Sequence, residues 1–329
     1  MRVSWFVPVR FPRLTRYDAM PASVWIRCLQ LLPYLRAHGI TSELNPRRPR
    51  GDVAVLVRRL DDLALEIARA ARARGATVVV DLCVDYFDAT PLTPEGYGVT
   101  PAQVERCLRL CALADMVTTA STFIAERARA HHPNVLYLAD SIDPAHFRHR
   151  RPPVRAGSPP RAIWCGVAVK AGELAGALPA LAAAEIPLTI VSDRRPTLPY
   201  PFTFVRWRWR TAPRTLLGGD FCFAPRPVDS PYNRGHSHFK VGVFLAQGVP
   251  VLASRVPSYE EVVLDGVTGR LVDDVDGWPA ALAEVRSDPT VLDRWSAATR
   301  AAMTPYTTDV IARRYAEAFR TCRDTTGKG

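Results

Sequence analysis

The sequence contains no apolar stretch long enough to cross a membrane and no cysteine spacing typical of a metal site. Its most apolar segment, residues 174–192, is interrupted by Pro179, Glu185 and Pro187, which excludes a membrane-spanning helix there. The apolar run after Arg2 stops at Pro8, so no secretory signal is predicted. The seven cysteines include no CxxC pair and no paired spacing of a secreted disulfide scaffold. These observations predict a cytoplasmic protein without a metal centre, and they leave peripheral contact with a membrane surface open.

Positive charge is abundant, with a formal net charge of +11. Clustered arginines could neutralise a phosphate backbone, which makes a nucleic-acid-binding protein one hypothesis. The arginines are scattered, however, and no recognition helix, zinc module or aromatic RNA-binding signature accompanies them. The alternating Arg and Trp residues 206–210 favour a half-buried edge strand over a platform for stacked bases. An enzyme that binds an anionic substrate is the simpler interpretation, and no nucleic-acid partner is expected.

The length of 329 residues predicts two domains, and strands alternate with helices along both halves. We expect an α/β protein with two doubly wound sheets: an N-terminal domain over residues 1–150, a Pro-rich and Arg-rich linker over 151–161, and a C-terminal domain over 162–305. A final helix over residues 306–322 has one apolar face that needs a partner surface.

Residues 235–272 contain the pattern most suggestive of chemistry. A loop with Gly235 leads into an apolar helix for which Ser237 is the predicted N-cap, and a buried strand follows. Gly235 would let the backbone approach a ligand closely, and the helix amides would attract an anion. Lys240, in the first turn, opposes the helix dipole unless an anion offsets its charge. The alternative for Lys240 is a solvated side chain on an amphipathic turn.

Two loops of the N-terminal domain follow the carboxyl ends of predicted strands, where open α/β sheets bind ligands. The loop after the first strand carries Arg16 and Asp18, which are candidates for the acceptor side of a site. A basic, solvated loop is the alternative. The loop after the strand TVVVDLC carries Asp85, a candidate general base.

The run from Lys240 through AQGVPVLAS to SYEEVVLDGVTGRLV resembles the donor-binding half of the "group 1" GT-B glycosyltransferases. The segment ADMVTTAS and the later LADSIDPAHF also resemble that family, at the end of its N-terminal domain. The resemblance implies two Rossmann-like domains that face a central cleft, and a last helix that crosses back to the N-terminal domain. It further implies transfer of a sugar from a nucleotide-diphosphate donor to an acceptor hydroxyl, mostly with retention and without a metal. By the same resemblance, Glu261 would bind donor hydroxyls, and the other donor-binding residues would be Gly166, Lys170, Gly235, His236, Ser237, His238 and Lys240.

Three positions depart from the family pattern. Gly235 and Val243 stand where the family often has two glutamates eight residues apart, and Val167 stands where it usually has an arginine. A sugar-nucleotide binder of the same fold without catalytic activity therefore remains an alternative to an enzyme.

Overall fold

The protein is described by a computed structural model over residues 1–9, 21–92, 97–155 and 157–327. Its chain divides into two compact units. The first unit contains Met1–Ser141, Ser230–Ser237 and the chain from Tyr306 onward. The second contains Ile142–Asp229 and His238–Pro305. Within the part of the chain that the structure describes, no helix combines the length and apolar character needed to cross a membrane.

The strands and helices alternate along most of the chain. The strands are β1 Arg2–Phe6, β2 Thr41–Leu44, β3 Val53–Val57, β4 Thr77–Leu82, β5 Met116–Thr119, β6 Val135–Tyr137, β7 Ala162–Cys165, β8 Leu188–Ser192, β9 Phe202–Arg206, β10 Phe221–Ala224, β11 Val251–Ser254 and β12 Gly269–Val272. The α-helices are α1 Ala22–Arg27, α2 Leu32–Ala37, α3 Asp62–Ala73, α4 Pro101–Leu113, α5 Thr122–Arg129, α6 Leu178–Ala183, α7 Ala212–Thr215, α8 Pro231–Arg234, α9 Phe239–Leu245, α10 Pro257–Glu260, α11 Trp278–Ser287, α12 Val291–Ala302 and α13 Thr308–Thr325. A 3-10 helix over Ala168–Leu174 follows β7.

The first unit contains a parallel sheet of order β2-β1-β3-β4-β5-β6. Every residue of β3 and β4 is buried, as expected for central strands of a parallel sheet covered on both faces. One face packs against residues of α1, α2 and α13, including Val24, Leu35 and Ile311. The other packs against residues of α3, α4 and α5, including Leu65 and Leu110. This is the doubly wound arrangement that the alternating pattern predicts.

Helix α13 belongs to the first unit although it ends the described chain. Trp5 of β1 packs its ring against Tyr315 and Phe319 at centroid distances of 6.2 and 6.0 Å. Arg314 donates a hydrogen bond to the carbonyl oxygen of Tyr137 in β6 at 3.0 Å. The apolar face of the final helix therefore covers the sheet built from the beginning of the chain.

Beneath α13 lies a buried polar network centred on Arg27. Its guanidinium donates two hydrogen bonds to Asp81, at 2.9 and 2.6 Å, and one to Asp140 at 3.1 Å. Tyr315 donates its hydroxyl hydrogen to Asp81 at 2.9 Å, and Thr118 does so at 2.7 Å. Burial alone would lower the pKa of Arg27, but the neighbouring carboxylates and the phenol of Tyr315 raise it well above its usual value. The arginine is therefore a permanent cation matched by two acids.

The second unit contains a parallel sheet of order β12-β11-β10-β7-β8-β9. Its core includes Trp164, Phe223 and Leu252 from the strands, with Leu178 and Leu282 from α6 and α11. Five of the seven residues of α9 are buried, because Val241 to Leu245 have no polar side chain to turn to solvent. The fold class is thus confirmed: two Rossmann-like units, each with a six-stranded parallel sheet.

The unit boundaries differ from the predicted domain boundaries. The first unit ends at Ser141 rather than at residue 150, and residues 230–237 belong to it rather than to the C-terminal domain. Residues 151–161 lie within the second unit, because the guanidinium of Arg151 donates to the carbonyl oxygen of Asp220 at 2.8 Å and to Asp293 at 2.7 Å. A buried, paired arginine anchors this segment, so it is not a free linker.

Candidate functional site

The strand order of the second unit reverses between β7 and β10. From β7 the sheet grows through β8 to β9 on one side, and through β10 and β11 to β12 on the other. Crossover connections leave the carboxyl ends of the strands in opposite directions at such a point, which opens a crevice. The loops after β7 and β10 therefore deliver their side chains to the place where open α/β sheets bind ligands.

Lys240, in the first turn of α9, lies among groups that favour its charge. Its ammonium donates a hydrogen bond to Oε2 of Glu173 at 3.3 Å and sits 4.8 Å from the ring centroid of Trp164. Only 14% of the side chain is exposed. Lys240 is therefore not a solvated surface lysine, and a carboxylate and an aromatic face stabilise it.

Arg226 follows β10, and no sequence pattern indicates a role for it. Its backbone N–H donates to the hydroxyl of Ser254 at 2.8 Å, which fixes the turn beyond the strand. Its guanidinium lies 3.6 Å from Oε2 of Glu173 and 5.7 Å from the ring centroid of Tyr259. Arg226 is only 5% exposed, so it is a buried cation beside Glu173, the carboxylate that also accepts the hydrogen bond from Lys240.

Glu173, in the 3-10 helix after β7, is the acid that these cations share. Burial alone would raise the pKa of its carboxyl, but the charges of Lys240, Arg226 and Lys170 outweigh burial and lower that pKa. We call Lys170, Glu173, Arg226 and Lys240 the Glu173 cluster. With three cations and one carboxylate it keeps a formal excess of two positive charges, which favours an anionic ligand.

Gly166, predicted to bind the donor, is required by packing. A Cβ at this position would stand 2.6 Å from the ring of Trp164, so only glycine lets that ring fold back over the end of β7. Trp164 in turn holds Lys240. The glycine thus supports the cluster through Trp164.

His238 and Glu261 meet at the start of α9. Nδ1 of the buried His238 lies 3.8 Å from Oε2 of Glu261, whose side chain is 11% exposed. Glu261 follows α10 directly, and His238 occupies the N-cap of α9. The structure therefore brings together two of the residues that are predicted to bind the donor.

Gly235, His236 and Ser237 belong to the first unit, whereas Lys240 belongs to the second. A Cβ on Gly235 would approach Ile124 and Asp85 to 3.2 and 3.3 Å. Close packing against α5 and the loop after β4 therefore explains why residue 235 is a glycine. His236 packs against the ring of Tyr232 at 5.0 Å. As donor-binding residues these three stay predictions.

Ser237 is not the N-cap that the sequence predicts, because His238 occupies that position. The Ser237 hydroxyl instead donates to Oδ2 of Asp140 at 2.5 Å. Since Asp140 also accepts a hydrogen bond from Arg27, the serine extends the buried network of the first unit.

Asp85, the predicted base, is engaged within the first unit. Its Oδ1 accepts the N–H of Phe87 at 2.8 Å, and its Oδ2 lies 2.5 Å from Nε of Arg127. Burial raises the pKa of Asp85, and the N–H of Phe87 and the charge of Arg127 oppose that rise. Arg16 and Asp18, the acceptor-side candidates, lie outside the described residues. Among the residues that are described, no three His, Cys, Asp or Glu side chains are grouped to hold a metal ion.

No protein-family model and no curated protein sequence matches this chain. Solved structures match it along almost its whole length. Sucrose-phosphate synthase from Thermosynechococcus elongatus is similar with a TM-score of 0.66 and 12% identity, covering 98% of this chain and 99% of that one. Anabaena HepE in complex with UDP is similar with a TM-score of 0.66 and 14% identity, covering 98% and 100%.

The lipopolysaccharide outer core galactosyltransferase WaaB, in its apo form, is similar with a TM-score of 0.66 and 10% identity, covering 98% of this chain and 99% of that one. At these identities the similarity is one of fold. The structural match extends over nearly the full length of each chain. This chain therefore has the GT-B fold of the glycosyltransferases that it resembles.

Proposed function

We propose that the protein is a glycosyltransferase whose second unit binds a nucleotide-diphosphate sugar, with the diphosphate at the Glu173 cluster. The observation that carries this proposal is the excess of cations at the point where strand order reverses. Lys240 and Arg226 lie 3.3 and 3.6 Å from one carboxylate oxygen, and both are largely buried. Anabaena HepE, which has the same fold, was crystallised with UDP and with UDP-glucose.

In the transfer reaction, the bond between the sugar's anomeric carbon and the diphosphate breaks while the acceptor oxygen forms a bond to that carbon. Negative charge grows on the leaving diphosphate. Fixed cations in a poorly solvated site stabilise that charge as it develops, without reorganising. Lys240 and Arg226 are suited to this task because Trp164, Tyr259 and Glu173 already hold them in place. The protein's own cations supply this charge in the proposed mechanism, so no metal is invoked.

Glu261 is proposed to accept hydrogen bonds from hydroxyl groups of the donor. Its carboxylate is partly exposed beside His238, and positions 235 and 243 carry no acid.

We propose retention of configuration, with the leaving phosphate accepting the acceptor proton. Asp85 is engaged by Arg127 and by the N–H of Phe87, which makes it less available as a base and favours a route that needs no side-chain base. If transfer instead inverts, Asp85 is the candidate base. We also propose a cytoplasmic location, which the cysteine pattern supports.

The test is a thermal-shift and calorimetric panel of UDP, ADP, GDP and their sugar derivatives. A ligand of the folded state raises the unfolding temperature by mass action. We expect one nucleoside diphosphate to bind far better than the others, and its binding to be weakened in Arg226→Met. Arg294→Met, at an exposed arginine of α12, is the matched control. NMR of the glycoside formed would report retention or inversion. Binding of random oligonucleotides in place of nucleotides would contradict the proposal.

A non-catalytic sugar-nucleotide binder is the second candidate. It is favoured by the residues at the two positions that often hold glutamate in the family: Gly235, which lies against α5, and the buried Val243 provide no carboxylate. Hydrolysis of the bound donor distinguishes the two. An enzyme releases free sugar slowly when no acceptor is present, whereas a binder leaves the donor intact.

A further inference from the structure

Glu173 works against the binding of an anion in the cluster that contains it. One of its carboxylate oxygens is 3.3 Å from Nζ of Lys240 and 3.6 Å from Arg226, and its side chain is only 10% exposed. A site selected only for tight binding of a diphosphate would gain from a neutral residue here. The carboxylate therefore has a role beyond the attraction of the ligand.

The charges of the donor and of the product differ by one. In an intact nucleotide sugar the diphosphate is esterified at both ends and carries two negative charges. Transfer breaks the bond from the anomeric carbon to the terminal phosphate oxygen, joins the sugar to the acceptor oxygen and releases the acceptor proton. The freed terminal phosphate ionises a second time with a pKa near 6, so the released nucleoside diphosphate carries three negative charges at neutral pH.

We propose that Glu173 is a specificity-determining residue that weakens the binding of the released nucleoside diphosphate relative to the intact donor. The inference rests on the proposed function. Lys170, Arg226 and Lys240 provide three positive charges, and Glu173 reduces them to a net two, which equals the charge of the donor's diphosphate. The third charge of the product gains less at this cluster than it would beside three uncompensated cations. Release of product limits turnover in many enzymes, so a carboxylate here keeps the site from being blocked.

The structure gives the carboxylate a fixed position and a fixed charge. The 3-10 helix that carries Glu173 begins where the N–H of Ala168 donates to Asp193 at 2.7 Å. The lowered pKa of Glu173 keeps it ionised at neutral pH. Its effect on the ligand is therefore present in every catalytic cycle.

The experiment measures dissociation constants of UDP and UDP-glucose by calorimetry for the wild type and for Glu173→Gln. The pairs ADP with ADP-glucose and GDP with GDP-mannose serve if the site prefers another base. We expect both ligands to bind more tightly to the variant, with a gain on the order of tenfold greater for the free diphosphate. At pH 5 the terminal phosphate is protonated once, so the two gains should become nearly equal. The exposed Glu185→Gln is the matched control and should change neither constant.

Glu173→Gln breaks a buried ion pair. If that variant is unstable, the same substitution is tested in a protein that also lacks one cation of the cluster, so that the net charge of the wild type is kept. Lys170→Gln is compared with Lys170→Gln plus Glu173→Gln, and the same tenfold difference between free diphosphate and nucleotide sugar is expected. Equal changes for both ligands at pH 8, or weaker binding of both, would overturn the role of Glu173 and leave the proposed function intact. A wild type that binds none of the nucleotides would overturn the proposed function and this inference together.

Discussion

Tyr315 in the last helix donates a hydrogen bond of 2.9 Å to Asp81 in β4, across 234 positions of the sequence. Asp81 receives further hydrogen bonds from Arg27 and Thr118, and all of these groups are buried. The phenol is thus one of the donors that allow a carboxylate to lie inside the first unit. Its loss would leave Asp81 less well satisfied rather than merely removing a surface contact.

Tyr315→Phe is therefore expected to lower the free energy of unfolding by about 1 to 3 kcal/mol. The ring would still pack against Trp5 and Phe319, which limits the cost to the hydrogen bond. Urea unfolding of the two proteins measures the difference. An unchanged midpoint would show that the hydrogen bond contributes little.

Ending the chain before Thr307 is the stronger test, because it uncovers the apolar surface around Trp5 and should cause aggregation.

Lys240→Met should destabilise the ligand-free protein by about 2 kcal/mol, because it leaves Glu173 with fewer compensating charges. The helix dipole alone predicts a neutral or favourable effect on stability, but the contact with Glu173 reverses that expectation. Nucleoside diphosphate affinity should fall at least tenfold, while affinity for the corresponding nucleoside should stay unchanged. Calorimetry with UDP and uridine, or with the base that the panel selects, makes the comparison. Equal losses for both would place the diphosphate elsewhere.

Glu261→Gln keeps the shape of the side chain and removes its charge. Loss of charge-assisted hydrogen bonds to sugar or ribose hydroxyls should weaken donor binding by roughly 1.5 to 3 kcal/mol. Inorganic pyrophosphate, which has no such hydroxyls, should bind as it does to the wild type. Because His238 lies beside this carboxylate, a small change in unfolding temperature is also expected. Donor affinity equal to that of the wild type would restrict Glu261 to that structural contact.

The acid side of the stability curve should report the ion pairs of Glu173. Its pKa is lowered in the folded protein, so its contribution is complete above the ordinary glutamate pKa of about 4.3 and is lost as the pH falls through the lowered value. The wild type should therefore lose more stability than Glu173→Gln below about pH 4.3. Parallel urea titrations between pH 3 and pH 6 test this. If the stability of the two proteins falls equally with decreasing pH, the cations do not stabilise the carboxylate of Glu173.

Local patterns were sufficient for the architecture because each strand and helix follows from nearby residues. Buried runs such as TVVVDLC and FCFA became central strands, as their continuous apolar character predicts. The apolar spacing of residues 22–38 predicts one helix. The structure divides this segment into α1, a 3-10 turn and α2, with Pro33 in the first turn of α2. A proline in that place cannot continue a preceding helix.

The candidate site was only half predictable, because its members meet through long-range contacts. The family resemblance and the place at the start of an apolar helix indicate Lys240, whereas no sequence pattern indicates Arg226 or Glu173. Glu173 and Lys240 are 67 positions apart, and no local spacing links them. One signal was available: the sequence has only three lysines among its 43 basic residues, and two of the three, Lys170 and Lys240, are in the Glu173 cluster. Lysine in a chain that otherwise uses arginine indicates that these two positions require a compact ammonium group.

The first unit needs three separate parts of the chain, and this has a consequence for biosynthesis. Residues 1–141 leave the ribosome long before α13, which covers Trp5 and Tyr137. At ordinary rates of translation the interval is roughly ten to thirty seconds. During that time the sheet of a nascent chain exposes an apolar face and lacks the phenol that satisfies Asp81. A chaperone that holds nascent chains should therefore associate with this protein until its last helix has been made.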